Sequence, residues 1–304
     1  MGPPQFAEAN DMKIRFHPLV MGTDYREGKT IGEDWHPTPV WIHNGDFNRE
    51  EMINILYDYV ETVMNRYSDR IDEWVVVNEP IWWGSEGGLK NNVWQDRIGE
   101  DYIELAFRKA REVAPNAVLI LNEVGVDFVG QKIYYTAEED FYNLVKGLVA
   151  KRVPLDAVGF EFHLTIPEHP WETEPTVDKI LANFERYGRL GLDVIVSELD
   201  VKIKEPITQE KLERQAEVYA IVMEAVLDSD SSRSISVWGQ SDRYSWITYS
   251  KYHWPDIPDQ FPGYSAASLY DEHHEPKPAY YAVLEVLGKY PSPPDPNHKT
   301  STIP

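Results

Sequence analysis

Short apolar runs alternate with longer amphipathic stretches along most of the chain, and this alternation is what most restricts the fold. The apolar runs resemble strands of a parallel sheet that is covered on both faces. They lie at residues 13–20, 74–78, 117–122, 156–162, 193–199 and 234–239. The stretches with helical periodicity lie at 48–67, 95–114, 138–151, 175–190, 208–228 and 278–289. At the start of the first, Asn48 and Glu51 fit a capping box. Strands that alternate with helices pair in parallel through right-handed crossovers, so we expect an α/β fold.

The regular spacing of the strand ends fits two α/β folds, a β/α barrel and an open doubly wound sheet. Strand ends recur near Glu79, Asn122, His163, Glu198 and Gly239. A doubly wound sheet usually has a glycine-rich phosphate loop after its first strand, and no G-x-G-x-x-G sequence occurs here. A complete barrel needs eight βα units, and only six are legible. We therefore predict a TIM-barrel-like fold that is incomplete.

Composition excludes several classes of protein. The net charge of -22 argues against nucleic acid or an anionic membrane surface as a partner. No apolar run reaches the ~18 residues that a membrane-spanning helix requires. The chain has no cysteine, so disulfides and thiolate chemistry are excluded. The first residues, MGPPQFAEANDMK, contain no apolar central region, so no signal peptide is visible.

Polar side chains cluster at the carboxyl ends of the predicted strands, where β/α barrels carry their active sites. They are His17, Asn78, Glu79, Asn122, Glu123, Glu161, His163, Glu198, Asp200, Trp238 and Asp242. Two apolar runs, in EWVVVNEP (73–80) and DVIVSELDV (193–201), lead into the glutamates Glu79 and Glu198. Glycoside hydrolysis needs two such carboxyls, one that protonates the leaving oxygen and one that is ionised. The two glutamates are therefore our catalytic candidates.

Two other chemistries fit the sequence less well. The pair His163 and His169, and the run DEHHE at 271–275, lack the helical i, i+4 spacing of a zinc site. A serine hydrolase would need a G-x-S-x-G turn, which is absent. We therefore expect no catalytic metal and no cofactor. Tryptophans beside predicted turns offer surfaces on which sugar rings stack: Trp82, Trp83, Trp238, Trp246 and Trp254.

Four motifs in order give the chain a resemblance to the family-10 glycoside hydrolases, which are mostly retaining endo-β-1,4-xylanases. WVVVNEP resembles the acid/base motif of that family, and VIVSELDV resembles its nucleophile motif. VGFEFHL and VWGQSDRYSW resemble the motifs of its sixth and eighth strands. The resemblance runs from about residue 6 to 287. It implies that Glu79 is the general acid/base and Glu198 the nucleophile.

The resemblance also implies roles for the neighbouring residues. Asn78 would bind the 2-hydroxyl of the sugar in the cleaved position, and His17 another hydroxyl of that sugar. His163 would hold the Glu198 carboxylate in line, with Asp200 orienting its imidazole. Asn122 and Glu161 belong to the same cluster. Trp238 and Trp246 would wall the glycone sugar and its neighbour.

Several positions depart from the family pattern. Glu161 stands where the family usually has glutamine, which places an extra carboxylate beside the nucleophile and should raise a pKa in the cluster. In HPLVMG, Met21 and Gly22 replace a tryptophan and a second histidine. Trp35 or His36, in the insertion that follows, would refill that space. The first two strands of the family, with a lysine and an asparagine that bind the second glycone sugar, have no counterpart before residue 6.

Together these observations predict one catalytic barrel-type domain over 1–290 and a proline-rich tail over 291–304. The predicted activity is that of a retaining endo-β-1,4-glycanase that cleaves xylan or xylo-oligosaccharides. Two alternatives stay open: a weak or inactive carbohydrate-binding remnant of the same fold, and a glycosidase for another β-glycan. The open barrel would be closed by the insertion 23–40, by the segment 247–275 or by a second copy of the chain, and of these three a homodimer is the one we expect. The family suggests an extracellular protein, and the sequence leaves the compartment open.

Overall fold

Helices and strands alternate in the computed structural model, which describes residues 3–22, 38–82, 87–131, 137–166, 174–248 and 261–290. The strands are β1 (Arg15–Phe16), β2 (Val20–Met21), β3 (Glu73–Asn78), β4 (Val118–Glu123), β5 (Ala157–Phe160), β6 (His163–Thr165), β7 (Asp193–Lys204), β8 (Ser232–Val237) and β9 (Tyr264–Ser265). The α-helices are α1 (Pro3–Ala9), α2 (Val40–Asn44), α3 (Arg49–Tyr67), α4 (Val93–Ile98), α5 (Tyr102–Val113), α6 (Ala137–Ala150), α7 (Val177–Gly188), α8 (Gln209–Asp228) and α9 (Pro278–Lys289). The tail 291–304 lies outside the described residues.

The strands form one curled sheet whose main body is parallel. β1 and β2 both pair with β3, which is followed across the sheet by β4, β5, β7 and β8. β6 pairs with the second half of β7, and β9 adds an antiparallel pair at the end of β7. The six predicted βα units are therefore confirmed. The curl places the carboxyl ends of the parallel strands β1–β5 and β8 on one rim, where β7 passes from β5 to β6.

The sheet is a half-barrel with an open seam between β1 and β8. Among the described strands, β8 has no backbone pairing with β1. A side chain spans the seam instead, because the Arg15 guanidinium donates to the hydroxyls of Ser234 (2.7 Å) and Ser236 (3.3 Å). The same guanidinium donates to Glu73 on β3 at 2.9 Å. Most of the insertion 23–40, predicted as one way to close the gap, lies outside the described residues.

Side chains that alternate along the strands build two apolar layers. Trp74, Val76 and their equivalents pack beneath the helices in the main core, together with buried aromatic rings such as Phe160 and Phe184. The intervening residues form a smaller cluster on the concave face: Val75, Ile120, Ala157 and Ile195. No helix in the described part of the chain combines the length and the apolar character needed to cross a bilayer.

Element boundaries differ from the sequence expectation where the backbone turns sharply. The predicted helix 95–114 is two helices, separated at Gly99, whose φ of 105° lies in the left-handed region that glycine tolerates. The predicted strand 156–162 ends at Phe160, and Phe162 has a φ of 56° before β6 begins. The strand predicted at 193–199 continues to Lys204 because β6 gives its second half a partner. The predicted capping box of Asn48 and Glu51 is confirmed.

Candidate active site

Glu79 is held in a strained turn directly after β3. Its φ of 50° is unusual for a residue with a side chain, and such strain is concentrated at functional sites. Its N–H donates to the carbonyl of Asn122 on β4 at 2.9 Å, which fixes the turn against the neighbouring strand. Its carboxylate contacts Lys90 Nζ at 3.1 Å and is partly open to solvent. The strand end therefore presents a charged group at the rim.

Gly22 allows the edge strand to approach this turn closely. Its N–H donates to the carbonyl of Asn78 at 2.6 Å. A Cβ at this position would lie 2.6 Å from Pro80 Cα and 2.8 Å from two carbonyl oxygens. The departure of Gly22 from the family pattern therefore has a packing reason. Trp35 and His36, proposed to refill the space, lie outside the described residues.

Glu198 lies at the point where β7 changes partner. Pairing with β5 ends at Val196, and pairing with β6 begins at Asp200. The prediction that Glu198 ends its strand is therefore wrong, but the change of partner has the same effect of freeing its side chain. The register with β8 is also irregular between Val196 and Leu199. The carboxylate turns into the mouth of the half-barrel and is almost fully buried.

Three nitrogen groups surround the Glu198 carboxylate. His17 Nε2 lies 3.2 Å from Oε1, and His163 Nε2 lies 3.2 Å from Oε2. Asn122 Nδ2 donates to Oε1 at 3.3 Å. These contacts come from β4, β6 and the interrupted edge strand, so the fold fixes the carboxylate from several sides. Three predicted site residues, His17, His163 and Asn122, therefore contact the catalytic candidate Glu198.

The two imidazoles differ in charge. Burial lowers the pKa of His17, although the carboxylates of Glu198 and Glu79 oppose this shift. Burial acts in the same direction on His163, but the carboxylates of Asp200 and Glu198 outweigh it and raise its pKa to about 10. Asp200 Oδ2 lies 3.1 Å from His163 Nδ1, which supports its predicted orienting role. At neutral pH, Glu198 therefore faces one neutral and one cationic imidazole.

Glu161 adds a further carboxyl to this cluster. Asn122 Nδ2 donates to its Oε1 at 3.1 Å, and His163 Nε2 lies 3.5 Å from its Oε2. Burial raises its pKa well above the ordinary value, and the charges of Glu79 and Glu198 raise it further. The direction of this shift agrees with the sequence expectation, with burial as its largest cause. The charges of Glu79 and Glu198 also act on His17.

The side chains of Asn78 and Asn122 are joined by a hydrogen bond within this cluster. Asn122 Nδ2 donates to Asn78 Oδ1 at 2.8 Å, and Asn78 Nδ2 contacts the Met21 sulfur at 3.4 Å. Ser197 donates to Asn122 Oδ1 at 2.7 Å. Ser197 escaped sequence analysis because an isolated serine within a strand carries no signal.

Trp238 and Trp246 stand beside the two imidazoles. The Trp238 ring lies 5.8 Å from His17 and 6.3 Å from His163, and it is partly exposed. The Trp246 ring lies 4.8 Å from His163, and its Nε1 donates to Asp200 at 2.6 Å. Both tryptophans therefore line the mouth of the half-barrel. Trp83, Trp254 and His169 lie outside the described residues.

Two residues at the strand ends serve other purposes. Asp242 is buried in an ion pair with Lys277 at 3.0 Å and accepts the Ser268 N–H at 2.8 Å, which fastens the last loop to α9. Glu123 is fully buried and accepts the N–H groups of Ile81 and Val124. Glu123 therefore stabilises the loop after Glu79, and its contacts are not with the residues around Glu198.

Comparison with known proteins agrees with this geometry. The model of glycosyl hydrolase family 10 matches residues 4–286, and the chain belongs to this family. The endo-1,4-beta-xylanase B of Thermotoga neapolitana is 33% identical over 287 residues, which are 93% of this chain and 72% of that protein. A thermostable celloxylanase from Thermoclostridium stercorarium is 32% identical and is covered over 70% of its length.

Solved structures show the same fold. The crystal structure of native xylanase 10B from Thermotoga maritima is 34% identical, with a TM-score of 0.78, and the match covers 94% of this chain and 78% of that chain. Xylanase 10B from Thermotoga petrophila, solved in complex with xylobiose, has the same TM-score at 33% identity, covering 94% and 77%. The chain is thus an α/β protein whose half-barrel matches the TIM-barrel structures of its family.

Proposed function

We propose that the protein is a retaining endo-β-1,4-glycanase that hydrolyses xylan-type polysaccharides. The observation that carries this proposal is the asymmetry of the two carboxylates. Glu198 is 6% exposed and surrounded by His17, His163 and Asn122, whereas Glu79 is 18% exposed and faces Lys90. A nucleophile must be fixed in line with the anomeric carbon, while an acid/base must exchange protons with water. Family membership supports the same assignment.

Double displacement uses each carboxylate in two steps. In the first step a Glu198 oxygen attacks the anomeric carbon while Glu79 gives its proton to the departing glycosidic oxygen. The C–O bond of the substrate breaks, and a glycosyl ester forms on Glu198. In the second step Glu79 takes a proton from water, whose oxygen attacks the same carbon and releases Glu198. The configuration at the anomeric carbon is therefore retained.

The surrounding residues position the sugar and the nucleophile. Asn78 binds the 2-hydroxyl of the sugar in the cleaved position, in a contact that strengthens as the transition state forms. Neutral His17 accepts or donates a hydrogen bond to a neighbouring hydroxyl. Cationic His163 holds one Glu198 oxygen so that the other attacks. Trp238 and Trp246 give the sugar ring an apolar wall.

Xylan is proposed as the substrate from the relatives. The relatives described above are named xylanases and a celloxylanase, and xylobiose is bound in the Thermotoga petrophila structure. A panel of xylan, cellulose and mixed-linkage glucan tests this assignment. Preferential release of reducing sugar from xylan supports it, and preference for a glucan contradicts it.

The catalytic assignment is tested with three variants. Glu198→Ala should reduce reducing-sugar release from xylan by several powers of ten, because it removes the nucleophile. Glu79→Gln should also reduce it strongly, and the exposed Glu285→Gln on α9 should behave as wild type. Equal activity of wild type and Glu198→Ala would remove the proposal. The first product observed by NMR should be the β-anomer.

The open seam favours one competing function, that of a carbohydrate-binding remnant. The half-barrel lacks the first two strands of the family in the described part of the chain, and the open seam lies beside Trp238. Calorimetry with xylo-oligosaccharides, run beside the activity assay, separates the two functions. Turnover by wild type supports the enzyme, whereas binding without turnover supports the remnant.

A further inference from the structure

We propose that Glu161, His163 and Glu198 form a binding site for a divalent ion of the zinc type, and that the ion weakens the nucleophile. One ligand atom from each residue lies within 4.8 Å of the other two. The set combines one imidazole nitrogen with two carboxylate oxygens, which are ligands that zinc accepts. Catalytic zinc sites commonly use three protein ligands and leave a fourth position open.

Two of the three distances between the ligand atoms fit a tetrahedral site. His163 Nε2 lies 3.2 Å from Glu198 Oε2 and 3.5 Å from Glu161 Oε2. Zinc bonds of about 2.0–2.1 Å to nitrogen and oxygen place tetrahedral ligand atoms about 3.3 Å apart. Magnesium and calcium favour ligand sets made of oxygen, which this set is not. The mixed set of nitrogen and oxygen atoms therefore favours a zinc-type ion.

The charges around the site favour a cation. Glu161 and Glu198 are both buried, which strengthens their attraction for an ion. A divalent ion would offset the repulsion between the two carboxylates.

The surroundings also orient the imidazole as a ligand. His163 is 8% exposed, and its Nδ1 lies 3.1 Å from Asp200, which leaves Nε2 toward the two carboxylates. Histidines that bind metals usually place the other ring nitrogen against a carboxylate or carbonyl in this way. Trp246 Nε1 donates to the same Asp200 carboxylate and fixes it in turn. The ligand geometry is therefore built before any ion arrives.

An ion in this site would inhibit hydrolysis. It would bind Glu198 Oε2, the oxygen that His163 otherwise holds, and withdraw charge from the carboxylate, so the oxygen that attacks the anomeric carbon would be a weaker nucleophile. The inhibition rests on the proposed hydrolase function, whereas binding of the ion does not. The two ideas are therefore tested by separate measurements.

Isothermal titration calorimetry with zinc chloride tests the site. Wild type should bind one ion per chain. Glu161→Gln should lose binding by more than 100-fold. Asp200→Asn should weaken binding by roughly 10–100-fold, as expected for a group behind a metal ligand. Glu79→Gln should bind zinc like wild type, although its predicted hydrolase activity is lost.

A crystal soaked in zinc, with anomalous diffraction at the zinc edge, locates the ion. A single peak bonded to Glu161, His163 and Glu198 supports the proposal. Equal zinc affinity in wild type and Glu161→Gln, or no binding to wild type, overturns it. If Glu161→Gln fails to fold, Glu198→Gln provides the same loss of one ligand. Zinc binding by a protein inactive on xylan would overturn the proposed function alone.

Discussion

Replacing the buried carboxyl of Glu123 by an amide should change how stability depends on pH. Burial, against the opposing charge of Lys90, raises the pKa of Glu123 from 4.5 to about 7. A shift of this size corresponds to roughly 3 kcal/mol, since each pKa unit is about 1.4 kcal/mol. The folded state binds the proton more tightly than the unfolded state. The stability contributed by this group is therefore present below pH 4.5 and is lost as pH rises through about 7.

The Glu123→Gln variant adds a second, pH-independent effect. Both carboxyl oxygens of Glu123 accept backbone N–H groups, from Ile81 at 2.7 Å and Val124 at 3.0 Å. An amide nitrogen cannot accept, so one buried N–H loses its partner at a cost of about 1–3 kcal/mol. Glu123→Gln should therefore be less stable than wild type at pH 4.5. At pH 8 it should equal or exceed wild type, because only the wild type carries the buried charge.

Urea unfolding at pH 4.5, 5.5, 6.5 and 8 measures both effects. The free-energy difference between wild type and Glu123→Gln should change by about 3 kcal/mol across this range. The exposed variant Glu285→Gln should show no comparable change. Asp127, whose pKa burial raises to about 6, adds a loss of wild-type stability in the same direction. A difference between wild type and Glu123→Gln that is constant with pH would refute the reasoning.

Three further outcomes are expected. Gly22→Ala should lower the free energy of unfolding in urea by about 1–3 kcal/mol, because the added Cβ would overlap Pro80. Gly147→Ala on α6, where a Cβ would meet nothing within 4 Å, should raise it by about 0.5–1 kcal/mol. Equal effects of the two substitutions would contradict the close contact at Gly22. A crystal structure should place the carboxyls of Glu79 and Glu198 about 5–5.5 Å apart, and about 9 Å would indicate inversion. Light scattering should give twice the 35.2 kDa of one chain, and a stable monomer would contradict the dimer.

Much of the fold was predictable because its signals are local. Apolar runs, helical periodicity and the capping box at Asn48 are read from neighbouring residues, and the structure confirms the six βα units. Phe162 shows the limit, since a left-handed phenylalanine has no local signature, and it lies between the end of β5 and the start of β6, a strand that was not predicted. The extension of β7 to Lys204 likewise depends on a partner strand that sequence periodicity does not reveal.

The site was predictable to the extent that it lies at strand ends. Glu79, Glu198 and His163 follow apolar runs, so one architectural rule brings them together. Lys90 was missed because it lies in a loop, eleven residues beyond Glu79. An antiparallel bridge between Ile81 and Leu89 folds that loop back and returns the lysine to the carboxylate. The position of Lys90 therefore depends on the pairing of the chain around it, which the residue type alone does not reveal.

The Arg15 side chain determines how firmly the two edges of the half-barrel are held together. In a closed barrel, backbone hydrogen bonds between every pair of neighbouring strands resist opening. Here, within the described strands, resistance across the seam comes from the side-chain bonds that Arg15 makes to Ser234 and Ser236. His17 and Trp238 lie on opposite sides of the seam, with their ring centroids 5.8 Å apart. The width of the mouth of the half-barrel is thus coupled to one guanidinium, and its stiffness can be altered by a single substitution.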